Sequence, residues 1–171
     1  MSGYVRWMSA LAVVVGLVTV CGTAQGSSLG AGIHYLRTLG DITADDTIDL
    51  NQDSFSLLAS LKSDMGPLTL DGQVEYIFDY LGTDEAMWVP SAWALLGKTI
   101  YGGAGIGIGH TDGEWQTNPF YALRAGVEIP LGGMALDTYA SYQFQSGAEL
   151  EDLTGEDLDS LTFAALLRFG L

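Results

Sequence analysis

Residues 68–80 read Leu68-Thr69-Leu70-Asp71-Gly72-Gln73-Val74-Glu75-Tyr76-Ile77-Phe78-Asp79-Tyr80. Leu68, Leu70, Val74, Tyr76, Phe78 and Tyr80 share one parity, while Thr69, Asp71, Gln73, Glu75 and Asp79 share the other. A period of two belongs to a strand, whose successive side chains leave opposite faces. Large apolar groups on one face and carboxylates on the other call for hydrocarbon on one side and water or a polar lumen on the other. That is the setting of a strand in a membrane β-barrel, where apolar-out and polar-in alternate over segments of about ten residues.

The same grammar extends outward in both directions. Upstream, 53–62 places Phe55, Leu57, Ala59 and Leu61 outward against Ser54, Ser56, Ser60 and Lys62. The residues 63–67 that follow, Ser-Asp-Met-Gly-Pro, form a turn by composition. Further upstream, 28–37 turns Leu29, Ala31, Ile33 and Tyr35 outward, and a long connection over 38–52 carries Asp41, Asp45, Asp46 and Asp49. Downstream, 81–87 is a polar connection and 88–96 a fourth strand of open register. There Trp88, Ala92, Ala94 and Leu96 compete with Val89, Trp93 and Leu95, and Pro90 demotes the first residues to a rim or bulge.

After a short Gly97-Lys98 turn, 99–109 sets Ile100, Ala104, Ile106 and Ile108 against Tyr101, Gly103, Gly105, Gly107 and Gly109. A polar loop is expected over 110–118. Next, 119–129 turns Tyr121, Leu123, Ala125, Val127 and Ile129 outward and Arg124 and Glu128 inward, with a turn at 130–133. In 134–145, Leu136, Thr138, Ala140, Tyr142 and Phe144 oppose Asp137, Tyr139, Ser141, Gln143 and Gln145. A second acidic loop, 147–157, holds Glu149, Glu151, Asp152, Glu156 and Asp157, and the last strand keeps Leu161, Phe163, Ala165, Leu167, Phe169 and Leu171 on one parity. The expected fold is all-β: an eight-stranded antiparallel up-and-down transmembrane β-barrel, with long loops at one end and tight turns at the other. Tyr35, Phe55, Phe78, Tyr80, Tyr121 and Phe144 fall near the long-loop rim, a depth that suits amphipathic rings.

The N-terminal stretch follows a different pattern. Arg6, an apolar run over 10–20 and small residues at Gly22, Ala24 and Gly26 give the charged, greasy, small-residue order of a signal peptide. The run is too short to cross a bilayer as a helix, which takes about 20 apolar residues. Cleavage after Ala24 or after Gly26 fits, so the chain divides into a signal peptide, 1–26, and a barrel domain, 27–171. The single cysteine, Cys21, lies in the segment to be removed, and Val20 is bulky where a lipidation signal wants a small residue.

A hydrophobic fraction of 48% beside a net charge of −15 is unusual for one soluble domain, but apolar residues that face lipid need no core. Loss of Arg6 makes the balance more acidic by one unit, and nucleic acid is excluded as a partner because phosphate binding needs a Lys/Arg surface.

On this architecture the chain resembles the small eight-stranded outer-membrane proteins of diderm bacteria, a class that includes adhesion, anchor and small-porin-like barrels. The resemblance covers nearly the whole chain after the signal segment. It includes the terminal Phe163-Ala164-Ala165-Leu166-Leu167-Arg168-Phe169-Gly170-Leu171, which looks like the C-terminal signal read by the barrel-assembly machinery. Phe163, Leu167, Phe169 and Leu171 carry that signal; the class most often ends on an aromatic residue, and here the end is Leu171. The resemblance implies residence in the outer membrane, contact with its lipid and lipopolysaccharide, and a monomer.

Chemistry is sparse. The lumen-facing set is Lys62, Asp71, Glu75, Asp79, Arg124, Glu128, Asp137 and Arg168, with Arg37 near the rim. Charges in a narrow lumen must pair, since an isolated buried ion is very costly. Strand neighbourhood predicts that Asp137 is held by Arg124 and Arg168, while Asp71 and Glu75 join only by reaching across. An eight-strand interior is just wide enough for side chains to fill. The glycine face of 99–109 either admits Arg124 and Tyr101 or leaves a small cavity.

The spacing of Gly103, Gly105 and Gly107 fails a dinucleotide fingerprint, because Ile108 stands where the third glycine belongs. No cofactor motif or EF-hand spacing occurs, though the acidic loops offer carboxylate oxygens that suit divalent cations. His110-Thr111-Asp112 is the one faint catalytic trio, its members adjacent in sequence. The expected function is therefore that of a structural or surface-interaction protein with a polar plugged lumen and acidic extracellular loops. The alternatives are a small-solute porin-like conduit and, more remotely, a lipid-modifying barrel enzyme or a soluble lipocalin-like binder, in which the parity would be reversed.

Overall fold

The computed structural model describes residues 26–38, 54–78, 86–111, 113–116, 118–145 and 160–171. Residues 1–25, which hold Ala24 and all of the signal segment but Gly26, together with Asp79, Tyr80, Asp112 and the acidic stretches 39–53 and 146–159, lie outside the described residues. The elements are β1 (Ser27–Thr38), β2 (Ser54–Met65), β3 (Leu68–Ile77), β4 (Met87–Gly97), β5 (Ile100–Gly107), β6 (His110–Thr111), β7 (Glu114–Trp115), β8 (Phe120–Pro130), β9 (Met134–Gln145) and β10 (Ser160–Gly170).

The eight long strands close into an antiparallel barrel. Each pairs with its sequence neighbours, and β1 pairs both with β2 and with β10, from Ser28↔Gly170 to Thr38↔Ser160. Closure pairs each of the eight long strands on both sides, as a chain in hydrocarbon requires.

Alternation fixes which face is which. Leu29, Ile33, Phe55, Leu57, Val74, Leu123, Phe163 and Leu167 stand on the exposed outer surface, while Asp71, Gln73, Glu75, Arg124, Asp137 and Arg168 are buried inside. Along β3, Val74 is 39% exposed and Asp71 1%. This direction overturns the lipocalin-like alternative, which needs the large apolar groups within.

Three local readings are corrected by backbone chemistry. First, β2 runs to Met65, which pairs with Leu68, so the turn is only Gly66-Pro67 rather than 63–67. Gly66 takes φ +75°, the left-handed entry that a two-residue hairpin turn asks of its first residue. Second, β4 keeps one parity throughout: Met87, Val89, Trp93 and Leu95 are buried, and Trp88 and Leu96 face out. Pro90 introduces no bulge, since Ser91↔Gly107 and Trp88↔His110 share one register. Ile108 donates its N–H to the Pro90 carbonyl at 3.2 Å, but proline has no N–H to return, and the ladder is interrupted there between β5 and β6.

Third, the region expected as a polar loop over 110–118 folds partly into a short hairpin. In it β6 pairs with β7 through His110↔Trp115 and Thr111↔Glu114, with Gly113 at φ +82°. The hairpin continues the β4–β5 ladder by pairing with the first residues of β4, through Met87↔Thr111 and Trp88↔His110.

At the rim, rings meet across strands, Tyr35 with Phe55 at 5.1 Å and Tyr76 with Trp88 at 4.7 Å between centroids, and along β9, Tyr142 with Phe144 at 6.1 Å.

Candidate functional site

The lumen is built in three layers. Nearest the loop end, Ile77, Met87, Val89 and Phe120 are buried and form an apolar sector of the lumen wall, carried by the ends of β3, β4 and β8. The middle holds the charges. Toward the turn end the lumen widens into a vestibule of about 220 Å³ lined by residues that include Lys62, Asp64, Thr69, Lys98, Tyr101 and Glu128.

Asp137 of β9 is the hub of the middle layer and is wholly buried, at 0% exposure. Its Oδ2 accepts from Lys62 Nζ at 2.8 Å and from Arg168 Nε at 2.5 Å, and its Oδ1 accepts from the Tyr101 hydroxyl at 2.5 Å. Across the lumen, Asp71 of β3 is a second hub. Its Oδ1 accepts from Ser60 Oγ at 2.5 Å, and its Oδ2 from Gln73 Nε2 at 2.7 Å, Arg124 Nη1 at 3.1 Å and Arg168 Nη2 at 3.4 Å. Arg168 therefore ties the two carboxylates together.

Arg124 is clamped flat. Its guanidinium carbon lies 3.5 Å from the Trp93 ring centroid and 3.8 Å from that of Tyr139, and its Nη2 donates to Gln73 Oε1 at 2.7 Å. The planar guanidinium suits this, because it stacks on aromatic faces while its edge still donates.

Closer to the loops, His34 Nδ1 sits 2.7 Å from Glu75 Oε1, and Ser56 Oγ donates to the same oxygen. Closer to the turns, Lys62 reaches Glu128 Oε2 at 2.9 Å and lies over the Tyr101 ring at 4.4 Å. So Lys62, Arg124 and Arg168 face Asp71, Glu75, Glu128 and Asp137, with His34 set against Glu75.

The sequence-derived lumen residues Lys62, Asp71, Glu75, Arg124, Glu128, Asp137 and Arg168 thus lie together, and Asp79 falls outside the described residues. One expected pairing is replaced. Arg124 does not turn to Asp137 on the adjoining β9; its ion pair is with Asp71, across the lumen. Period and neighbourhood give a residue's face but not its height, and the stagger of a barrel displaces neighbours along the axis. His34, Tyr101, Tyr139 and Gln73 also join the network. His34 could have been placed there, since the even positions of β1 face inward.

Glycines make room for the rings. A Cβ on Gly105 would strike the Trp93 ring, one on Gly107 the Phe120 ring, and one on Gly126 the Tyr101 hydroxyl and Tyr139. Gly105→Val should therefore cost about 1–3 kcal/mol by overpacking, while Gly102→Ala, whose new Cβ meets only the Arg124 carbonyl at 3.5 Å, should cost little. Urea midpoints of the two variants check this. Equal midpoints would mean that Trp93 does not occupy the space over Gly105.

No group of three metal-ligating side chains occurs among the described residues. His110 meets Trp115 edge to face, at 4.7 Å between centroids. Phe163, Leu167 and Phe169 of the terminal signal are outward and about half exposed, and Leu171 is 79% exposed.

No protein-family profile and no curated protein matches the chain. Solved structures do. Neisserial surface protein A aligns with a TM-score of 0.56 at 14% identity, over 84% of this chain and 95% of that one. Ail, the attachment invasion locus protein of Yersinia pestis, solved with the heparin analogue sucrose octasulfate, aligns with a TM-score of 0.51 at 15% identity, over 85% and 99%. A de novo designed transmembrane β-barrel aligns with a TM-score of 0.50 at 9% identity, over 87% and 98%. At such identities the likeness speaks for fold alone, and the fold is that of the small eight-stranded outer-membrane β-barrels.

Proposed function

We propose that this chain is a monomeric integral protein of a bacterial outer membrane whose lumen is a structural plug, and that its work is done at the surface by the acidic connections 38–52 and 147–157. The observation that carries the plug is the middle layer, where Asp71, Asp137, Arg124 and Arg168 are each buried and bonded to one another across the full width of the lumen. The apolar layer of Ile77, Met87, Val89 and Phe120 backs it on the loop side. On this reading the protein is not an enzyme. The porin-like conduit is disfavoured because a permeating solute would have to separate these ion pairs.

The outward apolar faces would meet lipid, and Phe163, Leu167, Phe169 and Leu171 would present the assembly signal. Neisserial surface protein A and Ail are named for surface and attachment roles, which supports a surface role here by analogy. Their partners do not transfer directly. A sulfated polyanion is opposed by loops carrying Asp41, Asp45, Asp46, Asp49, Glu149, Glu151, Asp152, Glu156 and Asp157. Carboxylates suit Ca²⁺ or Mg²⁺, so the partner we favour is a divalent cation, alone or bridging to lipopolysaccharide phosphates.

Purified protein in planar bilayers should show no reproducible conductance. Discrete, reproducible channels would overturn the plug. For the surface role, binding to lipopolysaccharide vesicles should rise with Mg²⁺ and fall when the loop aspartates are changed to asparagine.

A further inference from the structure

The turn end of the lumen holds a cavity that the charged layer does not fill. At about 220 Å³ the vestibule has room for about seven waters, or for one small solute. Its floor is Lys62, only 6% exposed, whose Nζ donates to Asp137 at 2.8 Å and to Glu128 at 2.9 Å and lies over the Tyr101 ring. That ammonium is already matched by two carboxylates, and behind it the ion pairs of the middle layer close the cavity.

Above the floor the lining carries charge of both signs. Asp64 of β2 and Glu128 of β8 belong to strands four apart in either direction round the eight, and so stand on opposite walls. Each commits one oxygen to a neighbour: Asp64 Oδ1 accepts from the Thr69 hydroxyl at 2.7 Å, and Glu128 Oε2 accepts from Lys62. Among the described residues, no ion pair or hydrogen bond engages Asp64 Oδ2 or Glu128 Oε1. At the mouth, Lys98 lies in the exposed turn between β4 and β5 and makes no ion pair among the described residues. It is followed by Thr99, whose carbonyl accepts the Glu128 N–H at 2.8 Å, so the cation and that carboxylate share one stretch of rim. Leu95, Pro130 and Ala135 give the cavity an apolar wall.

Each simple class of ligand is opposed by some part of this lining. An inorganic anion would meet two carboxylates, and a bare amine would meet Lys98. A divalent metal ion needs more oxygens than two carboxylates on opposite walls supply, and no group of three metal-ligating side chains occurs among the described residues. A solute that is neutral overall and carries both signs is opposed by none of it.

We infer that the vestibule binds a zwitterionic α-amino acid with an apolar side chain, entering from the turn end. The ammonium lies between Asp64 and Glu128, the carboxylate meets Lys98 and the Thr99 hydroxyl, and the side chain rests on Leu95, Pro130 and Ala135. Charge-assisted hydrogen bonds at both ends fix the orientation as well as the affinity. An interior residue of a peptide lacks both charges and a C-terminal residue lacks the ammonium, so the free amino acid is preferred. The site is at the opposite end of the barrel from the acidic loops, on the side that faces the periplasm in the orientation proposed above.

Equilibrium dialysis of radiolabelled leucine against the purified barrel in detergent micelles, with micelles alone as the blank, measures this directly. Saturable binding to a single site is expected. N-acetylleucine, which lacks the ammonium, and leucinamide, which lacks the carboxylate, should each bind at least about tenfold more weakly, the worth of one hydrogen bond to a charged group. Lys98→Met should abolish the discrimination between leucine and leucinamide, and Asp64→Asn should weaken both. Lys98 is exposed in a turn, so its replacement should fold, and the gel shift between folded and heat-unfolded forms checks that it does. No saturable uptake of leucine, equal affinity for leucine and either derivative, or unchanged discrimination in folded Lys98→Met would each overturn the inference. Channel conductance would count against the plug and would leave these ratios as they are.

Discussion

Changing Asp137 to leucine is expected to destabilise the barrel by about 3–5 kcal/mol, the range for removing one partner of a deeply buried ion pair. The carboxylate gathers Lys62, Arg168 and the Tyr101 hydroxyl, and none of the three gains a full substitute when it goes. Lys62 keeps Glu128, which is nearer the vestibule, and Arg168 keeps only its longer contact with Asp71 at 3.4 Å. Arg168 Nη1 already has no hydrogen-bond partner among the described residues. Urea unfolding in lipid, or the gel shift between folded and heat-unfolded forms, reads the effect. Removing Arg168 as well should cost clearly less than the sum of the two single changes, because the second change takes away the charge that the first left stranded. Strict additivity would mean that the two side chains do not meet, and the account of the lumen would fall with it. Asp137→Asn, which keeps the volume and an acceptor oxygen, should lie between the wild type and Asp137→Leu.

The parts of this structure that were legible in the sequence are those where one face is mainly apolar and the other mainly polar. In β9 the alternation from Leu136 to Phe144 against Asp137 to Gln143 marks the strand, and its bounds, Met134–Gln145, are those the pattern gives. The fourth strand resisted because its sector of the lumen is not polar. Trp93 and Leu95 point inward, since the glycines of β5 opposite them leave the volume a ring needs. With apolar groups on both faces, a two-state code of apolar and polar has nothing to alternate. The clue was there in a different form: a strand with glycine at three successive inward positions, Gly103, Gly105 and Gly107, implies a neighbour that fills the gap.

The short hairpin of β6 and β7 was missed for another reason. Two-residue strands show no period, although Asp112-Gly113 is among the strongest hairpin signals in a sequence. Arg124 was placed on the correct face but with the wrong partner, since contacts across a lumen join residues far apart in sequence at heights set by the whole barrel. Ion pairs of that kind are a property of closure and cannot be read from any one strand.

A charge on the outer face should be costly in proportion to its depth. Val74 lies near the middle of β3, between Leu68 at the turn and Tyr76 and Phe78 at the rim, and points outward. If the outer surface meets hydrocarbon, Val74→Arg should destabilise the folded state by about 2–4 kcal/mol, the range for arginine at the midplane of a membrane barrel, and Leu68→Arg near the interface by only about 0–1 kcal/mol. The side chain at Leu68 can extend to water, whereas the one at Val74 must drag its charge through the apolar band or thin the bilayer around it.

The comparison between positions separates membrane from solvent better than either value alone. On a soluble barrel an outward arginine at Val74 would sit in water, and its effect would stay within about 0.5 kcal/mol, as for most surface substitutions. Reversible unfolding from lipid vesicles gives the difference directly. Equal costs at Val74 and Leu68 would mean that depth has no influence, and the reading of the outer surface as lipid-facing would have to be abandoned. The expected gradient would also locate the apolar band on the barrel, since repeating the change at the outward Leu123 of β8 and Leu167 of β10 should extend the depth profile around the wall.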